Sequence, residues 1–295
     1  MKFPAASLPR FMVYSILALS FACAPISRAQ DGHPVGKEVQ YKIADGKPLH
    51  LYISLPAENL KGPHAAIVFF HGGGGTAGSA AQFNGQATAL AALGMVAVEV
   101  EYRHLAPPPS MENPRICVED AKSAMRWVRS HAQELQIDPD RIVAGGGSAG
   151  GYLAAATALV PEWDDPKDDL KVSPKPNALV LFFPALDISP EQGHGASRFG
   201  PDWARYAPET YLSAKTPPTI IFEGLEDKMV TPAALKHYKE LADKAGSRCE
   251  LNFYPGQHHG FANKEPYRTE TLKQAIVFLE SLGYLPADGP APASK

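Results

Sequence analysis

Ser148 stands in the run Ala144-Gly145-Gly146-Gly147-Ser148-Ala149-Gly150-Gly151, after a short apolar segment and before a helix-like one. Residues 146–150 read G-x-S-x-G, and the setting gives that pattern chemical meaning. A strand turning sharply into a helix strains the central residue and holds its side chain clear of the backbone. Glycine is needed at 146 and 150 because a Cβ at either would meet the neighbouring strand or helix. A serine hydroxyl is a weak nucleophile at neutral pH. It requires a base to take its proton and an acid to orient that base. It also requires hydrogen-bond donors where an attacked carbonyl oxygen becomes an oxyanion.

Both partners follow downstream, acid before base. The β-branched stretch over residues 218–224 runs into Leu225-Glu226-Asp227. Functional groups of open parallel sheets gather in loops at the C-terminal ends of strands, which is where Asp227 falls. Glu226 is the competing acid, and as an adjacent residue its side chain is expected to point elsewhere. A further strand, residues 251–254, leads through Pro255-Gly256 to His258 and His259. Either histidine can serve as base. His259, which precedes Gly260-Phe261, is the preferred one. Upstream, a buried-strand pattern over residues 65–70 opens into His71-Gly72-Gly73-Gly74-Gly75. The N–H groups of Gly73, Gly74 and Ala149 are the expected oxyanion donors, against the alternative of a merely flexible glycine loop. His71 is expected to brace that loop.

The elements that must position these groups are legible in outline. The chain has 295 residues, 45% of them apolar, enough for one large core. Its net charge of -3 carries no basic footprint and argues against a nucleic-acid partner. Residues 39–43 and 49–53 alternate with period two about Asp45-Gly46, a hairpin signal. From residue 65 onward strands alternate with helical stretches, as in a mostly parallel, doubly wound α/β sheet with helices on both faces. Asn113-Pro114 is expected to cap and open a helix whose Val118, Ala121, Met125, Val128 and Ala132 form one apolar face. Asp138-Pro139-Asp140 is expected to turn the chain into the serine strand. The cluster Asp164-Asp165, Asp168-Asp169 reads as a solvated loop, lacking the glycine and terminal Glu of an EF-hand. Residues 188–218 form the longest non-periodic stretch. Phe199, Trp203, Tyr206 and Tyr211 there either line a pocket or pin the loop to the core. Pro107-Pro108-Pro109 is a candidate wall of the site.

At the N-terminus, Lys2 and Arg10 precede an apolar run over residues 11–23, too short to span a bilayer, and Ser27-Arg28-Ala29 supplies small residues for cleavage. Residues 1–29 are therefore expected to be a secretory signal peptide, with a retained anchor or lipid attachment at Cys23 as alternatives. A lead-in (30–37), a catalytic domain (38–285) and a flexible tail (286–295) complete the organisation. Localisation would be secreted or periplasmic, with no stable membrane insertion after cleavage. Cys117 and Cys249 remain, either paired in an oxidising compartment or, the simpler reading, two buried thiols.

Over about residues 38–283 the chain resembles the α/β-hydrolase superfamily. More narrowly it is similar to secreted carboxylesterases related to the hormone-sensitive lipase and to the feruloyl and acetylxylan esterases. The resemblance rests on His71-Gly72-Gly73-Gly74, Glu101-Tyr102-Arg103, Val118-Glu119-Asp120-Ala121, residues 137–142, Gly147-Ser148-Ala149-Gly150-Gly151, residues 224–227 and His259-Gly260-Phe261. It implies a serine esterase in which Ser148, Asp227 and His259 act through an acyl-enzyme, with no metal or organic cofactor. The substrate it implies is a small-molecule or carbohydrate ester, short acyl, acetyl or feruloyl. Many relatives have an aromatic residue where this chain has Gly75, which would widen the pocket, and a long N-terminal cap is missing. A peptidase of the prolyl-oligopeptidase type and a non-catalytic binder on a hydrolase scaffold are the other readings. Oligomeric state is left open.

Overall fold

The computed structural model describes residues 32–106, 113–191 and 196–286. The expected leader, Pro107-Pro108-Pro109 and the tail beyond 286 lie outside the described residues.

Eight strands form one sheet: β1 (Lys37–Ala44), β2 (Lys47–Ser54), β3 (His64–Phe70), β4 (Val96–Val100), β5 (Ile137–Gly147), β6 (Ala178–Phe182), β7 (Thr219–Gly224) and β8 (Cys249–Tyr254). Their order is β1-β2-β4-β3-β5-β6-β7-β8. Asp45 and Gly46 both take positive φ (51° and 74°), the turn whose twist suits a two-residue hairpin. β2 meets β4 antiparallel, and every pairing from there to β8 is parallel. Among the described residues five α-helices surround the sheet: α1 (Asn84–Ala92), α2 (Arg115–Ser130), α3 (Ala149–Leu159), α4 (Pro232–Lys244) and α5 (Tyr267–Ser281).

Alternate residues of a strand face opposite sides, and here both sides are apolar. Val68, Phe70, Ile142, Ala144, Leu181 and Ile221 enter one core with Val118 of α2, Leu153 of α3 and Leu235 of α4. Ile67, Phe69, Val143, Val180, Phe182 and Phe222 enter the other with Leu90 of α1 and Phe278 of α5. The sheet is doubly wound, as its pattern implied.

Three local readings differ. α2 begins at Arg115, with Pro114 as its flanking residue, while the Asn113 side chain accepts from the Arg115 N–H at 3.0 Å. Asn113 thus stands one residue outside the cap position, and the cap residue Pro114 makes no side-chain cap bond. Asp138-Pro139-Asp140 lies within β5: Ile137 pairs with His64 and the next pair is Ile142 with Ala66, so the residues between bulge out. Asp138 closes the bulge by accepting the Asp140 N–H at 2.9 Å.

The third difference is the acidic cluster, which is not solvated as a whole. Asp165 is buried 2.6 Å from Lys42, Asp168 lies 3.0 Å from Arg126, and Asp164 also meets Arg126. Asp169 alone of the four is exposed. The cause is α2, whose second stripe of Asp120, Lys122, Ser123 and Arg126 is covered by this loop rather than by water. Cys117 and Cys249 are free buried thiols. Burial pushes each up to about 12, far from the thiolate range in which cysteines react.

Candidate active site

β5 ends at Gly147 and α3 begins at Ala149, so Ser148 takes the whole change of direction, with φ 54° and ψ -121°. A side chain at 146 would place its Cβ 2.4 Å from the Gly150 carbonyl oxygen, and one at 150 would lie 2.0 Å from that of Phe70. The glycine spacing is thus a steric requirement of the turn. Ser148 donates its N–H to Phe182 at 3.0 Å and accepts at its carbonyl from Ala185 at 3.0 Å, which ties the turn to the end of β6.

Asp227 follows β7 and His259 follows β8, so the structure brings all three expected residues to the C-terminal edge of the sheet. Asp227 is buried, and its Oδ1 accepts the N–H groups of Met229 (2.7 Å) and Val230 (3.0 Å). Its Oδ2 lies 2.6 Å from His259 Nδ1. Burial alone would raise this carboxyl, but the bonds from His259, Val230 and Met229 outweigh it and hold the group below its ordinary value. An ionised Asp227 makes Nδ1 the protonated ring nitrogen. Nε2 is then the acceptor for the Ser148 hydroxyl, 2.9 Å away. The Phe183 ring meets the imidazole edge-on, centroids 5.0 Å apart, and limits its tilt. The competitors are turned aside together: Glu226 is exposed, and its carbonyl accepts from His258 Nδ1 at 3.0 Å.

The glycine loop is fixed rather than slack. Gly73, Gly74 and Gly75 all have positive φ, and a Cβ at Gly73 would lie 2.1 Å from the Ala77 oxygen. His71 is the brace: its Nδ1 donates to Gly72 O at 2.7 Å, and its ring stacks on Tyr102 at 4.2 Å. Burial lowers its pKa to about 4, so it stays neutral. Gln82 accepts the Gly72 N–H at 2.6 Å and donates to Asn263 at 3.0 Å, strapping the glycine loop to the His259 loop. The N–H groups of Gly73 and Gly74 meet no acceptor among the described residues. Ala149, at the start of α3, presents an N–H that a helix leaves without an i−4 partner. Gly74 and Ala149 line the cavity that holds Ser148 and His259, whereas Gly73 is not among its lining residues.

That cavity measures about 290 Å³, with Leu153, Ile188, Phe199, Met229 and Val230 among its walls. Gly75 and Cys117 also line it, so the place where relatives carry an aromatic ring is here part of the open space. The loop aromatics divide: Phe199 lines the cavity, whereas Tyr206 stacks on Trp163 at 3.9 Å and Tyr211 donates to the Arg205 carbonyl at 2.9 Å. Sequence reasoning missed Gln82 and Asn263, partners 181 positions apart. It also missed Phe183, Arg198 and Glu223. Tyr102 lay in a quoted motif, but its stacking on His71 had no local signal.

Residues 51–241, well over half the chain, match the BD-FAE family. The chain belongs to that family. Among solved structures this BD-FAE chain is similar to a thermophilic esterase from the planctomycete Thermogutta terrifontis, at 40% identity and a TM-score of 0.80, covering 87% of this chain and 96% of that one. Among curated proteins it is similar to the probable carboxylic ester hydrolase LipM of Mycobacterium tuberculosis, 30% identical over 63% of this chain and 46% of that one. The carboxylesterase NlhH of the same species is 30% identical over 67% of this chain and 66% of its own length. The chain spans about half the length of the first curated relatives it matches. With these relatives it stands among the α/β-hydrolase carboxylesterases, as the sequence resemblance implied.

Proposed function

We propose that the protein is a secreted serine esterase that hydrolyses short acyl esters through an acyl-enzyme. The observation that carries this reading is the relay from Ser148 Oγ to His259 Nε2 (2.9 Å) and from His259 Nδ1 to Asp227 Oδ2 (2.6 Å). The hydroxyl attacks the ester carbonyl while His259 takes its proton, and Asp227 stabilises the imidazolium. The oxyanion is held by the N–H groups of Gly73, Gly74 and Ala149. His259 then returns the proton to the departing alcohol, and activates the water that releases the acid. A cavity of about 290 Å³ has room for a short acyl group, and the Thermogutta esterase has been solved with propionate and with butyrate bound. Acetyl and feruloyl esters of carbohydrate rest on the family resemblance alone. Export rests on residues 1–29, and N-terminal sequencing of the protein recovered outside the cytoplasm should begin after Ala29.

Ser148→Ala is expected to lower kcat/KM on p-nitrophenyl butyrate by about 10⁵-fold with folding unchanged. Paraoxon, with which the Thermogutta esterase forms a phosphorylated adduct, should add one equivalent to the wild type and none to the variant. Turnover by the variant within tenfold of wild type would overturn the assignment.

A further inference from the structure

Arg198 is the one permanently charged residue among the described residues lining the cavity, and no acid is among them. Its NH1 donates to the Gly74 carbonyl at 2.9 Å, which seats the guanidinium on the glycine loop beside the oxyanion donors. Among the described residues it has no carboxylate partner, and its Nε and NH2 meet no acceptor. Other described arginines differ. Arg103, Arg115, Arg126, Arg141, Arg205, Arg248 and Arg268 each pair with a carboxylate, and Arg129 donates to backbone carbonyls.

A substrate entering this cavity strips water from the guanidinium. Arg198 is half-exposed, so the water lost is partial, but a neutral chain offers nothing in its place. The Nε–NH2 edge left over is the edge that pairs side-on with a planar carboxylate through two parallel bonds. We propose that the natural ester bears a free carboxylate and that Arg198 binds it: a half-ester of a dicarboxylic acid, or an ester of a hydroxy acid. The inference rests on the esterase reading and narrows its substrate class. Arg198 then determines specificity without taking part in proton transfer.

Two length-matched pairs test it, with acid release followed by pH-stat: monoethyl succinate against ethyl butyrate, and 3-acetoxypropanoate against propyl acetate. In each pair one methyl end is replaced by a carboxylate, on the acyl side in the first and on the alcohol side in the second. The wild type should favour the carboxylate member of at least one pair by about 10- to 100-fold in kcat/KM, mainly through KM. Arg198→Met should abolish that preference, lowering kcat/KM on the carboxylate member at least about tenfold more than on its neutral partner. The wild-type preference should also shrink with added salt, as an ion pair near the surface does, a measurement that needs no variant. Neutral members favoured in both pairs, or an Arg198→Met variant slowed equally on charged and neutral esters, would overturn the proposal and leave Arg198 as a brace for Gly74. Turnover of none of the four esters would instead overturn the esterase reading itself.

Discussion

Beside Asp227 the chain buries a second carboxyl, that of Glu223, whose Oε1 accepts the Gly224 N–H at 2.9 Å while Oε2 meets no donor. Two carboxylate charges cannot share so dry a space cheaply. Burial, and then the charge of Asp227, push Glu223 up to about 9, so it keeps its proton and Asp227 alone is ionised toward His259. In the unfolded chain Glu223 loses its proton near the ordinary carboxyl value, whereas in the fold it holds it until about 9. Between those limits the unfolded state binds fewer protons, so Glu223 lowers stability as pH rises and adds no further slope above its folded value. Glu223→Gln removes that slope. The variant should gain on the wild type by roughly 2–3 kcal/mol between about pH 5 and about pH 7, read by urea unfolding at both. Glu99, buried and pushed up to about 8, contributes equally to both proteins and cancels. Stability curves that run parallel would show Glu223 ionised. Ser148 and Asp227 were legible because glycine and strand-end signals surround them. Glu223 was not, since a lone polar residue on a strand reads as solvent-facing until both sides of the sheet are known to be covered.

At the scale of elements, the β5–α3 turn is the part with least room. Gly150→Ala sets a Cβ 2.0 Å from Phe70 O and 2.5 Å from His71 O, both backbone atoms of the neighbouring strand end. Backbone has no rotamer with which to yield, so the helix must shift and carry Ser148 out of reach of His259. The expected cost is about 3 kcal/mol or more, with activity lost alongside. Gly75→Ala is the contrast: the nearest atoms its Cβ would meet are the side chains of Leu105 and Cys117, at 3.4 and 3.7 Å. That variant carries only the strain of its positive φ, about 1–2 kcal/mol. Equal melting temperatures for the two would contradict the steric argument. The same crowding explains what the sequence conveyed about elements. Glycines that permit contact are informative wherever they stand, period-two alternation located the antiparallel hairpin, and continuous apolar runs located parallel strands such as β3. The β5 bulge was read as a simple turn because Asp138-Pro139-Asp140 has identical local chemistry in either setting. The acidic loop was read as solvated because the polar stripe of α2 that it covers stands some forty positions earlier (Arg126 to Asp168, 42 apart).

Across the whole molecule, the N-terminal hairpin is joined to the parallel sheet's helical layer by charge as well as by strand pairing. Lys42 on β1 lies 2.8 Å from Asp120 on α2 and 2.6 Å from Asp165, and its ammonium donates to Ser123 at 3.0 Å. Asp120, fully buried, also takes Arg103 Nε and NH2 at 2.8 Å each. Burial works against the Asp165 charge, but the bond to Lys42 prevails and holds its carboxyl below the ordinary value. Lys42 reads in sequence as one polar residue of an alternating strand, and its partners are 78 and 123 positions away (42 to 120 and 42 to 165). Desolvation makes such a pair cheap to keep and costly to halve. Lys42→Met should therefore cost about 3–5 kcal/mol, mostly because Asp165 is left buried without its cation. None of these residues lines the cavity, so kcat on ethyl butyrate below the melting range should be unchanged. Adding Asp165→Leu to Lys42→Met should recover much of the loss, because removing both members of a buried pair leaves no stranded charge. A single variant within about 1 kcal/mol of wild type, or a double variant less stable than the single, would mean that water rather than Lys42 satisfies Asp165. The hairpin would then owe little to that ion pair.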